Sequence, residues 1–186
     1  MRKAFITVWI LAALLLAACG GAGQAAGGSE AVEGPCPQPG SGERSYRDET
    51  LGICFSYPEG YNVAPEGDNG LLVFAGEQPQ PLTPKASIQI EPAEGRTADG
   101  LAGEVMAGVQ GVEGIERVYG LMIGGETQVQ VIDHLPGEEL YRLVLVVHDG
   151  QLYRLTFTPS DHNLGPLFDE VDRLYGSLTN SFTFLP

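Results

Sequence analysis

The chain has 186 residues, of which 24 are acidic and ten are basic, so its net charge is −14 at neutral pH. This balance argues against nucleic-acid binding, which needs a basic surface, and against direct docking on anionic lipid headgroups. Acidity alone reports on solubility more often than on function, and a specific cation-binding role is an alternative.

The N-terminal residues have the three parts of a bacterial export signal. Met1-Arg2-Lys3 is a short basic region, Ala4 to Leu16 is an apolar run, and Ala17-Ala18 supply the small side chains that a signal peptidase needs. A membrane-spanning helix needs about 20 apolar residues, so this run is short for a span. We therefore predict that residues 1–18 are a signal peptide.

The segment Leu16-Ala17-Ala18-Cys19 resembles the lipobox of bacterial lipoproteins, in which small residues precede the cysteine that takes the lipid. The resemblance implies that Cys19 becomes the first residue of the mature chain and carries acyl chains. Two or three such chains anchor a protein stably, whereas one holds it only marginally. An ordinary secretory signal, with Cys19 incidental, and a retained anchor helix are the alternatives.

The residue after Cys19 bears on which membrane would hold the protein. Gly20 is not the aspartate that signals inner-membrane retention in diderm bacteria. The protein would lie on the outer face of the cell membrane in a monoderm, or in the periplasm or outer membrane in a diderm. Loss of Arg2 and Lys3 would leave eight basic residues against 24 acidic ones. The lipid on Cys19 is therefore the expected membrane attachment.

The other two cysteines form an even pair once Cys19 is assigned to lipid. Disulfides persist in the oxidising compartments outside the cytoplasm, so we predict a bridge between Cys36 and Cys54. It would close a loop of about 19 residues and contribute about 3 kcal/mol in the chain-entropy model. A metal site is the weaker alternative, because two distant thiols without a nearby histidine lack zinc spacing.

Composition divides the remaining chain into two parts. Residues 19–43 are rich in Gly, Ala, Ser, Pro and Glu and cannot bury enough apolar surface to order themselves, so they are predicted to be a flexible tether. Residues 44–186 have the length and hydrophobic patterning of one domain.

Period-two hydrophobic patterns predict strands over residues 52–57, 71–74, 87–91, 116–123, 128–132, 140–147 and 152–158, with short strands near Tyr46 and over 182–185. Gly124-Gly125 and Asp149-Gly150 are hairpin signals between successive strands. The strand over 140–147 is apolar on both faces, so we expect both of its faces to be covered.

Two helices are predicted among these strands. The first covers residues 97–110 with Thr97 as its cap, and the second covers 166–179, where apolar residues repeat at helical spacing. The combination predicts an α+β fold in which helices flank both faces of an antiparallel β-sheet.

Short motifs at both ends of the predicted domain resemble those of PsbP-like domains. Tyr46-Arg47-Asp48 and then Gly52-Ile53-Cys54-Phe55-Ser56-Tyr57-Pro58-Glu59-Gly60-Tyr61 are similar to the family's opening hairpin, Gly-Phe-x-Phe-x-Tyr-Pro with an aromatic residue three positions after the proline. Ser181-Phe182-Thr183-Phe184 is similar to its close. Two departures are Tyr61, where the family more often has Trp, and Cys54, which lies inside the motif.

The resemblance implies an α/β/α sandwich and a non-enzymatic function. Members of the family mostly act as accessory or assembly modules, including extrinsic subunits of photosystem II, and several bacterial members are lipoproteins. We therefore expect a lipid-anchored extracytoplasmic lipoprotein that binds a protein partner and needs no cofactor. A lipoprotein that binds a small ligand or a cation is the alternative.

The sequence offers no catalytic, cofactor-binding or metal-ligating set. His134, His148 and His162 are separated along the chain and are predicted to have surface or capping roles. Glu66-Gly67-Asp68-Asn69-Gly70 has residue types found in calcium sites but lacks the loop length and terminal glutamate of an EF-hand, so a plain turn is expected. A hydrolase would require a buried Asp–His pair near His134 or His162.

Overall fold

The computed structural model describes residues 36–186, which fold as antiparallel strands and two helices. The predicted signal peptide over 1–18 and most of the predicted tether lie outside the described residues. The helices are α1, Ala98–Gly108, and α2, Pro166–Ser181, which follows a 3-10 turn at His162–Leu164. The strands are β1 Glu43–Asp48, β2 Ile53–Pro58, β3 Tyr61–Pro65, β4 Gly70–Ala75, β5 Lys85–Pro92, β6 Glu116–Val118, β7 Gln130–Leu135, β8 Tyr141–His148, β9 Gln151–Thr158 and β10 Thr183–Phe184.

These strands form two antiparallel sheets rather than the one sheet expected from the sequence. The small sheet has the order β1-β2-β10, and the large sheet has the order β3-β4-β5-β9-β8-β7-β6. The chain passes from one sheet to the other at Glu59–Gly60, where Gly60 has φ of 89°. Glycine adopts this conformation without steric cost, so β3 can leave the direction of β2 and pair with β4 instead.

Tyr61 is the first residue after that turn and lies in the hydrophobic core. Its ring is buried, and its hydroxyl lies 3.3 Å from the side chain of Glu170 in α2. Burial and the charge of Glu170 raise the pKa of Tyr61 to about 12, although Arg173 opposes the shift. Tyr61 therefore ties the edge strand β3 to α2.

The hydrophobic side chains of β8 alternate between two buried clusters. Val144 and Val146 belong to the larger cluster, which includes Leu174 of α2, and Leu143 and Leu145 belong to the smaller one, which includes Leu101 of α1. Since successive side chains of a strand point to opposite faces, both faces of β8 are buried against apolar neighbours. The strand lies between β9 and β7, and both of its faces are covered, as predicted.

Both helices begin close to the predicted positions. The Thr97 hydroxyl accepts the main-chain N–H of Gly100 at 3.1 Å, which confirms Thr97 as the cap of α1. Pro166 occupies the first turn of α2, where its missing N–H costs nothing, and Asp169 in the same turn meets the positive end of the helix dipole.

The segment between α1 and β7 departs most from the sequence prediction. A strand was expected over residues 116–123, but β6 ends at Val118. Gly120, Gly124 and Gly125 all have positive φ. Residues 119–123 leave the strand, and a single bridge between Ile123 and Glu126 closes a tight turn at the predicted Gly124-Gly125 position. Residues 119–129 therefore form a loop beside the sheet edge.

Candidate functional site

The predicted disulfide between Cys36 and Cys54 is present in the structure. The two Cα atoms are 5.8 Å apart, with Cys54 fully buried in β2 and Cys36 half-buried. The bond fixes the segment in front of β1 to the middle strand of the small sheet. Cys19, the predicted lipidation residue, lies outside the described residues.

A buried ion-pair network joins β7, β8 and α2, one strand inside the edge of the large sheet. Asp133 Oδ2 accepts hydrogen bonds from Nε and Nη2 of Arg142 at 2.8 and 2.7 Å. Nη1 of Arg142 donates to Asp172 of α2 at 2.9 Å. The guanidinium also lies 4.2 Å from the centre of the Tyr175 ring, within the range of a cation–π interaction.

The second oxygen of Asp133 is also engaged. Oδ1 accepts the hydroxyl of Ser160 and, at 2.9 Å, the main-chain N–H of His134. Burial alone would raise the pKa of Asp133, but the hydrogen bonds from Arg142 and Ser160, together with the charge of Arg142, lower it below its ordinary value. The carboxylate is therefore ionised and fully partnered, which indicates a structural role.

His134 and His162, which are far apart in sequence, meet beside this network. His134 sits at an irregularity of β7 with φ of 58°, and its ring centre lies 4.8 Å from that of His162. His162 also packs on Phe168 at 4.1 Å. The Nε2 atom of His134 is buried and has no hydrogen-bond partner among the described residues.

The two imidazoles line a pocket of about 320 Å³. Its rim carries three carboxylates, from Glu113, Glu116 and Asp161. Asp161 Oδ1 accepts the main-chain N–H of Asn163 at 2.9 Å, and Asp133 bonds the main chain of His134 rather than its ring. The Asp–His ring pair that a hydrolase would need is thus not formed by these residues.

Metal binding at this pocket would rely on few protein ligands. Neutral imidazole is a good ligand for late first-row divalent cations such as Zn²⁺. Within residues 36–186 no group of three or more His, Cys, Asp or Glu side chains has the geometry to hold a metal ion. A cation in the pocket would therefore take its remaining ligands from water.

Exposed apolar residues concentrate at the edge of the large sheet next to this pocket. Five large apolar side chains are exposed among the described residues, and four of them lie between positions 112 and 122. Isolated exposed apolar residues are ordinary, but several within one short stretch of the chain favour an interaction surface. We call this group the β6 edge patch; it comprises Val112, Val118, Tyr119 and Met122.

The loop over 119–129 carries Tyr119 and Met122 of this patch. Two contacts of His148, with Glu126 and with Phe184, hold this loop, and we call them the clasp. His148 Nδ1 lies 2.9 Å from Glu126 Oε1, and the His148 ring stacks on Phe184 at 3.9 Å. A Cβ added at Gly124 would come within 2.5 Å of the Phe184 ring, so only glycine allows the turn to pack this closely. The clasp fixes residues 123–126 and leaves Tyr119 and Met122 exposed.

Sequence reasoning missed both the network and the patch. Arg142 within an otherwise apolar strand was the available signal for a buried partner, because an unpaired charge is costly inside a protein. The patch had a weaker signal, since Val118 and Tyr119 are adjacent and belong to a segment whose composition is also that of a half-buried strand. The convergence of His134 with His162 depends on tertiary structure and had no local signal.

Among residues 36–186, neither helix has the length and apolar character needed to cross a membrane.

Comparison with known proteins gives structural similarity but no match by sequence. No protein-family model matches the chain, and no match appears among curated proteins. The structure is similar to the solution structure of cyanobacterial PsbP (CyanoP) from Synechocystis sp. PCC 6803, with 16% identity over 91% of this chain and 98% of that one, and a TM-score of 0.48. This is the family that the sequence motifs resemble. A similarity of this degree carries no conclusion about function.

Proposed function

We propose that this chain is a lipid-anchored, non-enzymatic module that binds a partner protein outside the cytoplasm. The observation that carries the proposal is the β6 edge patch, because four of the five exposed large apolar side chains among the described residues fall between positions 112 and 122. A patch of this kind loses contact with water when a partner covers it, which favours association.

The proposal includes a layered architecture that presents this edge. The large sheet would be the middle layer of an α/β/α sandwich, with α2 on one face and α1 on the other. The alternation of β8 side chains between the two buried clusters supports this arrangement. Such a sandwich leaves its sheet edges, rather than its faces, available for contact.

The anchor is tested by labelling cells with an alkyne-bearing fatty acid. We expect the protein to incorporate the label and to stay with membranes, and Cys19→Ala to lose both properties. Cys36→Ala is the matched control, since it removes another cysteine of the same chain and should leave labelling intact. Labelling of the Cys19→Ala variant would contradict the anchor.

Partner binding is tested by placing a photo-crosslinking residue at Tyr119 of the full chain in its native membrane. Irradiation should give one adduct of defined mass, because a specific surface meets a specific partner. Leu82 is the control position, since it is 42% exposed and lies outside the patch. The same adduct from position 82, or no adduct from position 119, would contradict the proposed surface.

A second candidate function, cation binding, is favoured by the buried, unpartnered Nε2 of His134 beside His162. Calorimetric titration of the full chain with Zn²⁺ should show binding that Mg²⁺ does not reproduce, because imidazole prefers the softer ion. His134→Asn should lose this binding, whereas His148→Asn, which alters an imidazole outside the pocket, should retain it. A flat Zn²⁺ titration would remove this candidate.

A further inference from the structure

The two outermost strands of the large sheet differ in how their free edges are protected. β3 ends in Pro65, which lacks an N–H, and Tyr61 ties it to α2. β6 pairs with β7 on one side only, and no described strand pairs with its other side. An edge without a partner presents main-chain N–H and C=O groups that can pair with another extended chain.

Side chains around β6 alternate in a way that suits an added strand. Glu116 and Val118 point to one face of β6 and Arg117 to the other, since successive residues of a strand alternate. The Tyr119 ring, just after the strand, lies 5.2 Å from the Arg117 guanidinium on that second side. The Arg117 guanidinium already has acceptors within the chain, because it donates to Asp99 at 2.6 Å and to Gln130. An incoming strand would therefore meet apolar side chains on both faces of the edge and a free carboxylate on one.

The negative charge around the β6 edge favours a partner segment with basic side chains. Glu113 and Glu116 are exposed beside the patch, and the whole chain has a net charge of −14. A second copy pairing edge to edge would bring the same carboxylates together, and like charges facing across strands are destabilising. A segment with basic side chains would instead meet opposite charge.

We propose that the β6 edge binds an extended segment of a partner protein in which basic and apolar residues alternate, and that this segment pairs with β6 as an additional strand. This inference rests on the proposed protein-binding function and names the chemistry of the partner. Main-chain hydrogen bonds would supply affinity, and the apolar and acidic side chains at the edge would supply selectivity.

The experiment uses the full chain in lipid nanodiscs and three labelled peptides. The first alternates lysine and valine, the second is the same peptide with alternate amides N-methylated, and the third replaces lysine by glutamate. Fluorescence anisotropy should show binding of the first peptide, weakened by added salt because the attraction is partly ionic. N-methylation should weaken binding by about tenfold or more, since it removes main-chain donors, and the acidic peptide should not bind.

Two matched variants locate the contact. Val118→Lys places a positive charge on the edge and should weaken binding of the lysine peptide about tenfold or more, whereas Leu82→Lys adds the same charge elsewhere and should not. Equal binding of the parent and N-methylated peptides, equal loss in both variants, or no binding at all would each overturn the inference. Self-association through β6 in analytical ultracentrifugation would also overturn it. If the peptides fail while Tyr119 still crosslinks to a protein, the inference falls and the proposed function stands.

Discussion

The Asp133–Arg142 network and the β6 edge patch are neighbours, and both depart from the usual pattern of buried apolar and exposed charged residues. In the network, charged side chains are buried one strand from the edge. In the patch, apolar side chains are exposed at the edge itself. Glu116 of β6 pairs directly with Asp133 of β7, so the two regions are adjacent in the sheet.

The two regions differ in whether their side chains have partners within the chain. The buried charged side chains have them, and the exposed apolar side chains do not. Asp133 and Arg142 satisfy one another, with Ser160, Asp172 and Tyr175 completing the set. The side chains of Tyr119 and Met122 remain exposed. A buried polar group that is fully partnered indicates a role in structure, whereas an exposed apolar group without cover indicates a role in binding.

The largest expected effect comes from removing one member of the network. Arg142→Met leaves the Asp133 carboxylate buried without its counter-charge, so the free energy of unfolding should fall by about 3–5 kcal/mol. Urea denaturation measures this. Arg173→Met is the control, because its ion pair with Glu170 is half-exposed and should contribute about 1 kcal/mol or less. Similar losses in both variants would contradict the distinction between buried and surface pairs.

The pH dependence of stability should follow the same carboxylate. Because the folded-state pKa of Asp133 is lowered, its stabilising contribution is fully present above the unfolded value of 3.8 and is lost as pH falls through the folded value. In Arg142→Met, only the hydrogen bonds from Ser160 and from the main chain of His134 oppose burial, so the pKa of Asp133 should be higher than in the parent and stability should rise less with pH. Urea midpoints from pH 3 to 7 would show this, and parallel curves for the two proteins would contradict it.

An intermediate loss of stability is expected when the clasp that attaches the 119–129 loop to the rest of the domain is removed. His148→Ala removes the contact with Glu126 and the stacking on Phe184, which together should cost about 1 kcal/mol. Hydrogen exchange should then increase in residues 119–129 and little elsewhere. His162→Ala should not change exchange there, and an increase spread over the whole sheet would mean that the clasp is not local.

The smallest effect on stability should come from the patch itself. The double variant Tyr119→Ser, Met122→Ser replaces two exposed side chains, so the free energy of unfolding should stay within about 0.5 kcal/mol of the parent. Crosslinking to the partner from position 118 should nevertheless be lost. A large loss of stability would show that the patch belongs to the core, and unchanged crosslinking would show that it is not the contact surface.

The sequence predicted most elements of this fold because their signals are local. The Asp149-Gly150 turn, the apolar strand before it and the Thr97 cap each depend on a few adjacent residues. The pairing of Cys36 with Cys54 was predicted from the number of cysteines and their compartment. Strand β3 was missed, because Tyr61 to Pro65 has no strong alternation and is held by pairing with β4.

The candidate site was largely invisible in the sequence, for physical reasons. The hydrogen bonds of Asp133 come from residues up to 27 positions away, and local sequence patterns do not predict contacts over such a separation. Strands were predicted over 116–123 and 128–132 with a turn at Gly124-Gly125, but the paired part of this hairpin is shorter than predicted. Gly120, which has positive φ, follows soon after the end of β6, so residues 119–129 form a loop between β6 and β7.

The disulfide also determines how mechanical load would enter the domain. If lipid on Cys19 holds the chain at a membrane while a partner pulls on the β6 edge, tension arrives from the N-terminal side. Without the bond it would reach Glu43, at the end of the outer strand β1, whose hydrogen bonds could open one after another. Through the bond it passes from Cys36 to Cys54, which is paired with Arg47 on one side and Thr183 on the other. The tension is thereby shared by both neighbours of β2, so the small sheet would have to shear as a unit before it unfolds.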